Sequence, residues 1–163
     1  MSPIYKSRLR FCLLMHLMIW VLMLAKLTPS LLDRFNIFIL QVEELYIPPP
    51  RLWEWVWAAT ILLSPLALTA IRRNRSGPLR LYALSTALLG LGSLATAVAV
   101  FFDDLWSIVV DKDGTDVEKW RTYPIALLWL IFITIAFQVH VFSVVVSCQL
   151  IRSWEIRGSK KST

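Results

Sequence analysis

Charge and cysteine are what this sequence has least of. Only 17% of its 163 residues are charged, against 57% hydrophobic. A soluble domain of that length cannot cover its surface with so little polar material, which points away from an ordinary globular protein. The two cysteines, Cys12 and Cys148, stand far apart with no C-x-x-C spacing. That argues against thiol–disulfide chemistry and leaves both as small packing residues. Two histidines, His16 and His140, come without a third ligand, so neither zinc nor iron is expected. There is no glycine-rich phosphate loop and no paired carboxylate inside an apolar run, and no cofactor is expected. The net charge of +6 sits at the ends of apolar runs instead of on a polar face, so no nucleic-acid partner is expected.

What is present is four long apolar blocks, the pattern of an all-α integral membrane protein forming a single membrane domain. The expected spans cover about 10–27, 52–71, 79–102 and 124–151. The first block carries basic residues before it and small residues after it, as a signal peptide would. His16 inside it and Pro29 at the would-be cleavage site favour a retained span. Residues 30–46 are too polar to cross. Leu31, Leu32, Phe35, Phe38, Ile39 and Val42 recur at intervals of three and four, which predicts an interfacial helix with Ser30 as its cap. Ser64-Pro65 predicts a kink in the second span. On the third span, Thr86, Gly90, Ser93 and Ala97 form a small-residue stripe. Such a stripe lets another helix approach closely, first of all one from the same chain.

The loops assign sides. Arg72, Arg73, Arg75 and Arg80 lie between the second and third spans without an acid. The other two connections are net acidic, and basic residues flank both termini. The positive-inside rule then expects both termini in the cytosol and the 30–46 helix on the lumenal side. Asn74-Arg75-Ser76 matches a glycosylation acceptor but falls in the cytosolic loop. Asp111-Lys112-Asp113-Gly114 lacks the rest of a calcium loop and is read as a solvated turn.

The expected cytosolic tail, 152–163, finishes in Lys160-Lys161-Ser162-Thr163, a K-K-x-x pattern. Two ammonium groups at a set offset from a carboxylate are what the coatomer of retrograde vesicles reads, so Lys160 and Lys161 are expected to be a sorting signal. The competing reading is a basic tail that binds anionic lipid. Inside the spans lie His16, Lys26, Glu54, Gln138 and His140. Intramembrane polar groups are functional candidates by default. Lys26 and Glu54 end and begin neighbouring spans and are expected to pair. His16 and His140 lie at similar depth, where interhelical hydrogen bonding and proton or ligand handling are both open.

In order along the chain, His16-Leu17-Met18-Ile19-Trp20, Ala25-Lys26, Trp53-Glu54, Gln138-Val139-His140 and Ser153-Trp154 resemble the Jagunal family. The resemblance implies a non-enzymatic endoplasmic reticulum membrane protein serving reticulum organisation and vesicle traffic. It also implies coatomer as partner, beside membrane lipids and other membrane proteins of the reticulum. One rival expectation is a small membrane enzyme or transporter using His16, Gln138 and His140. Another is a subunit of a larger membrane complex.

Overall fold

Four helices long and apolar enough to cross a membrane form the structure, a computed structural model describing residues 2–110 and 117–159. Lys160, Lys161 and the Asp111–Gly114 turn lie outside the described residues. In hydrocarbon a backbone must satisfy its own hydrogen bonds, so apolar runs of this length become helices.

The first span belongs to a helix from Ser2 to Arg34, which overruns the expected 10–27 at both ends. It passes through Pro29, where one backbone bond is lost. The Thr28 hydroxyl donates to Leu24 O at 2.8 Å just before it. Continuing past Pro29 lets Leu31 pack on the core, and this corrects the expectation of a separate helix over 30–46. Ser30 is a helix interior residue and not a cap. The stop comes at Asn36, left-handed at φ 54°, with Ile37 N–H bonding Leu32 O and Asn36 N–H bonding Asp33 O. That is a Schellman closure, for which asparagine substitutes for glycine. Only Leu40–Glu43 is helical in what remains, a single exposed turn.

The second span runs from Leu52 to Arg73. Pro65 cannot bond Ile61 O, and the Ser64 N–H takes that carbonyl instead, tightening Thr60–Leu63 into a 3₁₀ turn. Asn74 stops this helix as Asn36 stops the first, left-handed at φ 52° with Arg75 N–H on Ala70 O. Its side chain also accepts a hydrogen bond from Lys6. The third span covers Ser76 to Val110 and contains a π-helical stretch at Thr86–Leu91. A two-strand hairpin, Lys119–Trp120 with Tyr123–Pro124, turns at Arg121 and feeds the fourth helix, Ile125–Ser159.

Four spans bring both termini to one end of the bundle. The first and fourth helices lie side by side, and the second and third pack around them. The core has two apolar clusters. One, around Leu9, Ile71, Leu79 and Leu150, sits toward the termini; the other, around Met23, Trp57, Phe101 and Ala136, sits toward the far end. Between them lies a belt of buried polar residues.

Candidate functional site

The belt is built from all four spans. His16 comes from the first, Thr60 from the second, Thr86 and Gly90 from the third, and His140 and Ser143 from the fourth; all are buried. The 3₁₀ turn ahead of Pro65 opens at Thr60, whose hydroxyl donates to Trp57 O at 2.6 Å. A threonine hydroxyl has one proton to give. With that proton on Trp57 O, the contact between Thr60 Oγ1 and His16 Nε2 at 3.1 Å has His16 as the donor. His16 is thereby fixed as the Nε2–H tautomer.

The His140 ring stands edge-on to His16, ring centroids 4.8 Å apart at 79°. Trp57 flanks both, at 5.5 Å from His16 and 5.8 Å from His140. Gly90 forms the floor. A Cβ there would meet His140 Cδ2 and Nε2 at 3.2 Å, so the missing side chain is what lets the imidazole rest on the third helix. The small-residue stripe is therefore spent inside the bundle: Thr86, Gly90, Ser93 and Ala97 are all buried.

The belt carries more hydrogen-bonding groups than it pairs. His16 Nδ1, both His140 nitrogens, Trp57 Nε1 and the Ser147 hydroxyl are buried without a hydrogen-bond partner among the described residues. No group of three or more metal-ligating side chains is found among those residues. What the geometry supplies is an interhelical node of one hydrogen bond and three ring contacts. Thr60→Val should leave the His16 donor unpaired and cost about 1 kcal/mol, the scale of a hydrogen bond between helices in a bilayer. The midpoint of unfolding in a denaturing-detergent titration measures it. Nitrogen-15 spectra of His16 should report the Nε2–H form.

Gln138 does not join the node. Two residues from His140 on a helix is about 200° around the axis, and Gln138 is exposed on the outer surface of the bundle. The three-residue polar site His16–Gln138–His140 is corrected accordingly: two of its members meet and the third faces away. The residues missing from the sequence expectation are Thr60, Trp57, Ser143 and Ser147. For the last two a signal existed. Ala136, His140, Ser143 and Ser147 recur at intervals of four, three and four, and all are buried.

Lys26 and Glu54 meet at the far end as an ion pair, Glu54 being 1% exposed. The second oxygen of Glu54 accepts Arg51 N–H at 3.0 Å, in the first turn of the second span where the helix dipole favours a carboxylate. Lys26 Nζ lies 5.5 Å from the Trp129 ring centre. The Arg51 guanidinium lies 4.6 Å from that of Phe101 and reaches Glu118 at 3.3 Å. First, second, third and fourth spans are thus tied at this end through two cations and two rings. Beside Lys26 opens an apolar recess of about 590 Å³, walled by Met23, Leu128 and Phe132 and covered by Ile47 and Trp120.

Comparison with known proteins gives this architecture a family. The family described as "Jagunal, ER re-organisation during oogenesis" matches residues 1–158. The chain is 38% identical to Protein jagunal of Drosophila melanogaster over 98% of its own length and 84% of that protein's. It is 37% identical to Protein jagunal of Drosophila pseudoobscura pseudoobscura over the same shares. The Protein jagunal homolog of Caenorhabditis elegans is 25% identical over 94% of this chain and 82% of that protein. This chain, with its four apolar helices and its histidine node, belongs to the Jagunal family.

Proposed function

We propose that this protein is a non-enzymatic, four-span component of the endoplasmic reticulum membrane that supports reticulum organisation and vesicle-mediated transport through coatomer. The observation that carries the reading is the match to a family described by reorganisation of that membrane, over nearly the whole chain. Both termini lie in the cytosol, with Arg72, Arg73, Arg75 and Arg80 around the turn between the second and third spans, on the charge bias of short connections. Lys160 and Lys161 are the coatomer-binding pair. The His16–Thr60 hydrogen bond and the Lys26–Glu54 ion pair each tie the first span to the second, which suits a scaffold, and the ion-pair network braces the lumenal end. Other reticulum membrane proteins and the lipids themselves are its remaining partners.

The test is a full-length chain carrying Lys160→Ser and Lys161→Ser. It should leave the reticulum and appear beyond the Golgi, and coatomer recovered with it should fall about tenfold or more, as for loss of a charge-assisted contact pair. Unchanged location together with unchanged coatomer recovery would overturn the reading.

A further inference from the structure

Gln138 is a polar group in the wrong solvent. It lies about 20 Å along the fourth helix from Ile125, well inside a hydrocarbon core about 30 Å thick. Its side chain is exposed, and its amide makes no hydrogen bond among the described residues. A glutamine amide has two donors and an acceptor, and lipid tails offer none of them a partner. A second transmembrane helix would.

The surface around Gln138 is shaped to receive one. Ile131, Thr134, Gln138, Val141, Val145 and Cys148 follow one another at steps of three and four, the seam period of paired helices. All are exposed but Val141, which is intermediate. The Thr134 hydroxyl is turned back to Leu130 O at 2.8 Å, so Thr134 adds no unmet polar group. No charge interrupts the seam.

The occupant follows from symmetry and from the chemistry of the amide. Every copy of one chain inserts with the same topology, so two copies related by a two-fold axis along the membrane normal set their fourth helices parallel. Each seam residue then faces its own counterpart. Most polar groups gain little from facing themselves; a primary amide, donor and acceptor at once, is satisfied by another. The third span's small-residue stripe cannot serve instead, because it is buried inside the bundle. We propose that the outer face of the fourth span is a homodimer seam, closed at its centre by reciprocal hydrogen bonds between the two Gln138 amides. This stands apart from the coatomer reading and needs only the membrane fold.

Cys148, three turns along the same seam, supplies the test. A parallel pair places it opposite Cys148 of the partner subunit, within reach of a disulfide. The full-length protein in native membranes, carrying Cys12→Ser to silence the other thiol, is oxidised with copper phenanthroline. Covalent dimer is then read on a non-reducing gel and its peptide identified by mass spectrometry. Most of the protein should cross-link through Cys148. Gln138→Leu should lower the yield roughly threefold to tenfold, the size of an interhelical hydrogen bond in lipid. Gln138→Asn, which keeps the amide, should stay near the parent. After reconstitution, about tenfold more lipid should leave the parent's yield high if the pair is specific. The dilution series keeps Gln138 itself, so it decides the matter even if a variant folds poorly. Absence of the disulfide, equal yield from Gln138→Leu, yield falling in step with dilution, or adducts only with another protein would each overturn the proposal.

Discussion

Lys26→Met should destabilise the bundle by about 3–5 kcal/mol, because it strands a buried carboxylate whose ion-pair partner among the described residues is Lys26. Glu54 is 1% exposed and holds Lys26 on one oxygen and the Arg51 backbone on the other. Removing the cation leaves that charge uncompensated, and the penalty is desolvation more than a lost attraction. Lys26→Met combined with Glu54→Gln should therefore recover most of the loss. The glutamine still accepts the Arg51 N–H and brings no charge with it. Unfolding in a denaturing-detergent titration, run as a double-mutant cycle, measures the coupling. Single and double variants that add independently would show that the pair is a surface contact of little weight.

Gly90→Val should cost about 2–3 kcal/mol through overpacking. Ordinary helix propensity argues the other way, since exchanging glycine for valine gains roughly a few tenths of a kcal/mol. The contact decides: a Cβ at position 90 meets the His140 ring at 3.2 Å. That ring is held by His16 on one side and Trp57 on another, so it has nowhere to yield. In a His140→Ala background the space is free and the same substitution should cost less than about 1 kcal/mol. A similar loss in both backgrounds would place the fault in the helix itself and not in its contact with the fourth span.

How much of this was legible beforehand depends on which kind of signal each residue carried. Runs of apolar residues announce spans, and Leu52 opens the second helix where composition places it. Helix ends were harder, because Asn36 and Asn74 act through backbone conformation, which sequence shows only as a permissive residue type. Ser30 misled for the same reason: its residue type suits a cap, but the first helix runs through Pro29 and past it, and Leu31 packs on the core beyond. At the node, the approach of His16 and His140 followed from their depth, whereas Thr60 did not. Its place depends on the carbonyl that Pro65 frees four residues earlier and on the 3₁₀ turn that results. Gln138 and His140 look alike as polar letters in an apolar run. Only the angle around the helix separates a buried group from an outward one.

The wide turn at Thr86–Leu91 bears on which edits of length this chain can survive. A π turn holds one residue more than the α-helix on either side of it. Deleting one residue there would restore regular bonding and leave an unbroken rod. Because the wide turn spends its extra residue on the same rotation, the segments on either side would keep close to their present phase. Leu79 and Tyr82 would stay in the core, and Leu81 and Leu84 would stay on the outside. The same deletion in the regular helix between Gly92 and Val110 would instead turn one side against the other by about 100° and draw it in by about 1.5 Å. The third span therefore absorbs the loss of one residue at the joint where the imidazole of His140 rests, and not along the regular turns beyond it.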